Sequence, residues 1–162
     1  MLKFTKRLKE SEDISYSLTL PFDLRIRGRL KVTLDSGEAA GLFLDRGPIL
    51  RGGDCIATDD GVVAQIKAAE ENVSTVHSEN ALLLSKVCYH LGNRHTPLQI
   101  GDQFARYQHD HVLDEMVRGL GLQPIFEQAP FEPEPGAYGE HHSDHAHGSH
   151  SHSHSHGQSH AH

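Results

Sequence analysis

EENVSTVHSENALLLSKVCYHLGNRHTPLQIGDQFARYQHDHVLDEMVRGLGLQPIFEQAPF, the stretch from Glu70 to Phe131, changes its hydrophobic period several times, and those changes decide the fold. Up to Val76 it reads as a strand. Ser78 is placed to cap a helix in which Ala81, Leu84, Val87, Cys88 and Leu91 recur at helical spacing, with Gly92 as a stop. Pro97–Ile100 and Phe104–Tyr107 follow as two short strands around a Gly101-Asp102 turn. Asp110 caps a second helix carrying Val112, Leu113, Met116, Val117 and Leu120, which ends near Gly121. Pro124–Phe126 completes a final strand. The order β-α-β-β-α-β is that of a ferredoxin-like split βαβ unit.

Upstream, from about Ile14 to Ala69, the pattern is of short strands and tight turns. Leu24–Leu34 (LRIRGRLKVTL) alternates apolar and basic residues with period two, which suits a half-buried antiparallel strand. Its row of Arg25, Arg27, Arg29 and Lys31 reads as a solvated face in preference to a partner-binding one. Turn signals at Asp35-Ser36-Gly37, Asp45-Arg46-Gly47-Pro48, Gly52-Gly53-Asp54 and Asp59-Asp60-Gly61 recur about every ten residues, the mark of a small all-β sandwich or barrel.

Downstream, the Pro-, Gly- and Glu-rich linker Pro130–Glu140 leads into HHSDHAHGSHSHSHSHGQSHAH. Ten of these 22 residues are histidine: His141, His142, His145, His147, His150, His152, His154, His156, His160 and His162. The others are Ser, Gly, Ala, one Asp and one Gln, so the segment buries no core and is expected to stay disordered. Uncharged imidazole is the side chain that nickel, zinc and copper bind at neutral pH. A purification tag is normally an unbroken run of histidine. This interspersed segment behind an acidic linker reads instead as a native metal-collecting tail, and near pH 5 its protonated rings would be poor ligands.

At 162 residues the chain is long enough for one or two small domains. Its formal net charge is −7. All 15 Lys and Arg fall within residues 1–126 against 17 acids, a near-neutral body that gives no reason to expect nucleic acid. No stretch approaches the ~20 apolar residues of a membrane span. MLKFTKRLKE lacks the apolar core of a secretory signal, and Cys55 and Cys88 make no disulfide framework. These features predict a cytoplasmic, soluble and reduced protein.

Five histidines lie outside the tail: His77, His90, His95, His109 and His111. His109-Asp110-His111 straddles a strand-to-helix junction, where two imidazoles flank a capping aspartate. His95 follows Gly92-Asn93-Arg94 at the frayed end of a helix, where a ring projects rather than packs. Taken alone these spacings are a weak metal signal, which the tail strengthens. Cys-x-x-Cys, His-Glu-x-x-His and Gly-rich phosphate loops are absent. A metal-dependent hydrolase using His109, His111 and Asp110 or Asp114 would need a third fixed ligand, an activated water and a pocket. No motif supports enzyme activity, and the chain reads as a non-enzyme.

Tyr89–Ile100 (YHLGNRHTPLQI), followed by Asp110-His111-Val112-Leu113 and Ala129-Pro130-Phe131-Glu132-Pro133, closely resembles the urease accessory protein E family of nickel metallochaperones. Arg46-Gly47-Pro48-Ile49-Leu50-Arg51-Gly52-Gly53-Asp54 extends the resemblance to the first half, so it covers nearly the whole chain. It implies an α+β protein: an N-terminal β domain over residues 1–72, likened to peptide-binding modules, a ferredoxin-like metal-binding and dimerisation domain over 73–135, and a disordered linker and His-rich tail over 136–162. It further implies a homodimer in which His95 of each subunit meets at the interface to hold one Ni(II), with His109 and His111 as auxiliary ligands. Zn(II) or Cu(II) would bind such imidazoles too. The implied partners are the urease accessory GTPase and, through it, the apo-urease assembly complex. The competing reading, carried by the tail alone, is a general metal-storage or detoxification protein.

Overall fold

The computed structural model describes residues 1–136, so the tail histidines His141–His162 lie outside the described residues. The chain begins with β1 (Leu2–Leu8), β2 (Tyr16–Leu20), α1 (Phe22–Arg25), β3 (Arg29–Thr33), β4 (Ala39–Phe43), β5 (Cys55–Thr58) and β6 (Val63–Ala68). These six strands form one sheet in the order β2-β6-β5-β1-β4-β3. Two pairings are parallel, β1 with β4 and β2 with β6. Phe4, Leu18, Leu34, Leu42, Ile56 and Ile66 alternate onto the concave face and are buried together. Asp35, just past β3, accepts bonds from Ser17 Oγ and from Thr19 N and Oγ1 on β2, and its own N–H donates to Ser17 O. The two edge strands are thereby drawn toward one another, so the sheet curls around its core.

β1 was not legible in the basic segment MLKFTKRLKE. Its alternation of Leu2 and Phe4 with Lys3 and Thr5 is broken by a register shift between Phe4 and Lys6, which hides the period.

The second half contains β7 (Glu70–His77), α2 (Ala81–Asn93), β8 (Leu98–Gly101), β9 (Phe104–Gln108), α3 (His111–Leu120) and β10 (Ile125–Pro130). Its sheet runs β10-β7-β9-β8, antiparallel throughout. The βαββαβ order expected from the periodicity is present. Leu84, Val87 and Leu91 of α2 share a core with Leu113 and Val117 of α3 and with Val76, Ala105 and Tyr107 of the sheet. The α2 cap differs from the expectation: Asn80, not Ser78, accepts the N–H of Leu83, while Ser78 Oγ accepts from Asn80 N. The α3 cap is Asp110 as expected, and Gly121, at φ 107°, closes that helix in the left-handed region.

Arg25 overturns the reading of Leu24–Leu34 as one strand with a solvated basic face. Phe22–Arg25 is a helical turn after Pro21, and only Arg29–Thr33 is strand. Arg25 is 1% exposed. Its guanidinium donates to Leu20 O and Leu50 O at 3.0 Å each, and also to Phe131 O and the Glu132 carboxylate. Three backbone carbonyls and one carboxylate thus receive the guanidinium, so burial of the cation is compensated. Phe22 and Phe131 meet edge to face at 5.5 Å, and Glu71 accepts from Phe22 N. The two sheets are joined through this cluster. Arg29 and Lys31, by contrast, are exposed on β3 as expected. Cys55 opens β5 as a buried residue, and Cys88 packs half-buried against the α2–α3 core. Among the described residues no helix is long and apolar enough to cross a membrane.

Candidate metal-binding site

His95 owes its position to the way α2 ends. The helix runs to Asn93, Arg94 stays near helical geometry, and the chain then turns at His95 with φ +56°. That is the left-handed conformation in which helices usually place glycine, at a cost of roughly 1–2 kcal/mol for other residues. His95 N–H closes the turn on Gly92 O at 3.0 Å, so the backbone is held while the side chain is exposed. No group among the described residues bonds the ring. Pro97 then leads into β8, whose Leu98 is buried. The expectation that His95 projects is met, and the projection is built on a strained backbone.

His109 is differently placed, in the joint between β9 and α3. Its Nδ1 lies 3.1 Å from Ser74 Oγ of β7 and 3.4 Å from Asp114 Oδ2 of α3. Asp114 is 5% exposed and also accepts from the Tyr107 hydroxyl at 2.6 Å. Burial, and then the bond to Asp114, push the Tyr107 hydroxyl well above its ordinary range, so it stays protonated and donates. The His109 ring stands edge to face on Phe126, 4.6 Å between centroids, with 39% of its side chain exposed. One nitrogen of the ring is therefore turned inward and the other toward solvent.

His111 is the first residue of α3 and exposed. Asp110 between the two histidines is committed to capping: its Oδ1 accepts from Val112 N at 2.8 Å and Leu113 N at 3.1 Å. Its carboxyl is held below the usual range, chiefly by the Leu113 N–H. Asp110 thus acts as a structural cap flanked by candidate ligands. Among the described residues no three His, Cys, Asp or Glu side chains are gathered to hold an ion. His95, His109 and His111 are each presented outward, and a full ligand set needs groups from elsewhere.

His77 ends β7 against Phe104, and His90 stands beside Tyr89 on the outer face of α2, both exposed. A cleft of about 490 Å³ lies between the Gly47–Asp54 loop and residues 132–136, lined in part by Arg51, Asp54 and Glu132 but by no histidine. Sequence reasoning missed the Ser74–Tyr107–Asp114 group around His109, apart from naming Asp114 as a candidate hydrolase carboxylate. The only local signal was a carboxylate between Leu113 and Val117 on the buried stripe of α3, where charge is rarely found unpaired.

The tail's point of departure is also fixed. Glu134 N–H donates to Leu98 O at 2.8 Å, and Glu132 N–H to Gln99 Oε1 at 3.0 Å. Phe131 is fully buried, so residues 131–134 are built into the folded body alongside the start of β8.

Residues 5–69 match the family model of the N-terminal domain of the UreE urease accessory protein, and residues 71–162 that of its C-terminal domain. The urease accessory protein UreE of Tolumonas auensis is 62% identical over 143 residues, 85% of this chain and 76% of the relative. That of Alkalilimnicola ehrlichii is 57% identical over 139 residues, covering 86% of this chain and 85% of the relative. That of Citrobacter koseri is 51% identical over 152 residues, covering 91% of this chain and 100% of the relative.

Proposed function

The chain belongs to the UreE family of urease accessory proteins, and from that premise we propose that it is a urease maturation chaperone that carries Ni(II) as its cargo. It collects the ion on its tail, holds it at His95 and passes it through the urease accessory GTPase to apo-urease. The carrying observation is His95, an exposed imidazole kept in a left-handed turn where glycine would be less strained. Strain retained at a surface residue points to a use for that side chain.

One chain gathers no complete ligand set among its described residues, so the second His95 is assigned to another copy in a homodimer formed through the C-terminal half. We assign that half, with its β10-β7-β9-β8 order and two helices, to the ferredoxin-like class, and we divide the chain near residue 72. His109 and His111 are auxiliary ligands in this reading. Two imidazoles leave most positions of a six-coordinate nickel to water, tail histidines or the partner's groups. A site closed by four thiolates would hold its ion too firmly to deliver it. Copper and zinc compete for the same imidazoles, and availability selects the metal. A cytoplasmic setting accords with two free cysteines.

The rooted linker supports cooperation between tail and site. Leu98 lies three residues beyond His95, within roughly 10 Å of chain, and Glu134 is bonded to Leu98. His141 follows seven residues later, a reach of about 25 Å. The first tail histidines are therefore within range of His95 of their own chain, which raises their effective concentration there.

The test is a calorimetric nickel titration at pH 7.5 of the chain ending at Glu140 beside its His95→Ala variant. Binding of about one ion per dimer, lost in the variant, is expected. If neither form binds nickel, the tail is the metal site and general divalent-metal storage replaces delivery. In that case deleting the gene would leave urease activation intact.

A further inference from the structure

We infer that Asp114, supported by Tyr107 and Ser74, is a positioning residue that holds His109 as a one-sided ligand with its Nε2 lone pair directed to solvent. The inference rests on the proposed role of His109 as a ligand of the cargo and adds how the fold prepares that side chain.

The argument is one of donors and acceptors. An ionised carboxylate only accepts hydrogen bonds. Asp114 receives the Tyr107 hydroxyl on Oδ1, leaving Oδ2 to face His109 Nδ1 at 3.4 Å. Were Nδ1 the bare nitrogen, its lone pair would confront that carboxylate in a buried setting. With hydrogen on Nδ1 the contact to Asp114 Oδ2 becomes attractive, while Ser74 Oγ, which can donate or accept, is satisfied in either tautomer. The neutral ring then carries its lone pair on Nε2, at the exposed edge. Phe126, edge to face with the ring at 4.6 Å between centroids, limits its rotation. A carboxylate behind a histidine is a recurrent device at metal centres, where it fixes tautomer and orientation and raises ligand basicity. The three supports come from β7, β9 and α3, so the arrangement depends on the packed fold.

His111 supplies the contrast. It has no such backing among the described residues and projects from the first turn of α3. The pair therefore divides into one fixed ligand and one adaptable ligand, which suits an ion that must be gripped and then released.

The experiment is a long-range ¹H–¹⁵N correlation spectrum of the full chain, metal-free at pH 7.5, with His109 assigned by difference from His109→Gln. The expected result is the Nδ1–H tautomer for His109 in the wild type, shifted to a mixture in Asp114→Asn and largely kept in Tyr107→Phe. Nickel titration followed by paramagnetic broadening of the His109 ring should show a midpoint about tenfold higher in Asp114→Asn, with the tail an equal competitor in both chains. An Nε2–H tautomer in the wild type overturns the inference whether or not the variants fold. An unchanged tautomer in a folded Asp114→Asn does so as well. If the tautomers behave as expected but nickel never broadens His109, the ligand role of His109 is what fails, and the positioning role falls with it.

Discussion

At the scale of single residues, His95 sets ligand presentation against backbone stability. Glycine at φ +56° would relieve roughly 1–2 kcal/mol of left-handed strain and would give back part of it, about 0.5–1 kcal/mol, as extra freedom of the unfolded chain. His95→Gly is therefore expected to gain about 0.5 kcal/mol in urea denaturation. His95→Ala keeps the strain and should gain nothing. In the proposed reading both should abolish nickel binding by the chain ending at Glu140. If alanine stabilises as much as glycine, the left-handed turn is not the source of the cost. The projecting ring was legible from GNRH at a helix end, because that placement is local. The support of His109 was not, since Ser74, Tyr107 and Asp114 come together only when three elements pack.

At the scale of elements, the caps and the curl of the first sheet give the sharpest expectations. Asn80 accepts the Leu83 N–H at the start of α2, so Asn80→Ala should cost about 1 kcal/mol, while Ser78→Ala should cost less. Denaturation of the two variants side by side checks which residue caps. The sequence placed the cap at Ser78; the structure moves it two residues on, to the extended backbone at Asn80. Strand β10 runs on to Pro130 although only Pro124–Phe126 looked strand-like, because its register with β7 is set by backbone pairing and not by apolar alternation. Asp35 yields a pH expectation. Burial acts to raise its carboxyl, but bonds from Ser17 and Thr19 outweigh burial and hold it below its ordinary value of 3.8. A depressed folded value means the unfolded chain takes up the proton first, so this share of stability is present above pH 3.8 and is lost as pH falls through the folded value. Urea midpoints between pH 5 and 3 should fall less steeply in Asp35→Asn than in the wild type. Parallel slopes would show that the bonds between the two sheet edges add nothing.

At the scale of the whole molecule, the joint made by Arg25 ties the first sheet, the second sheet and the root of the tail into one body. Alternation along Leu24–Leu34 concealed it, because the partners Phe131 and Glu132 lie more than 100 residues away in sequence. Arg25→Met would remove the guanidinium that Leu50 O and Phe131 O accept from, while Leu20 O keeps the N–H of Ala69. The Glu132 side chain, 30% exposed, can return to water, so its share of the loss is discounted. A cost of about 3 kcal/mol is expected. Arg25→Lys should recover little of it, since an ammonium cannot span several acceptors as the planar fork does. The consequence for function follows from geometry. The tail departs from Glu134, which is bonded to Leu98 near His95. Loosening Phe131 and Glu132 should raise hydrogen exchange at Glu134 N–H before it affects the α2–α3 core. In the proposed reading nickel would still load the tail to the same stoichiometry in Arg25→Met, because its ten histidines are unchanged. Its passage from tail to His95, followed by stopped-flow after tail loading, should slow several-fold as effective concentration falls. If that step keeps its wild-type rate while Glu134 N–H exchanges freely, the rooted linker has no part in delivery, and tail and site meet by free diffusion or across the dimer.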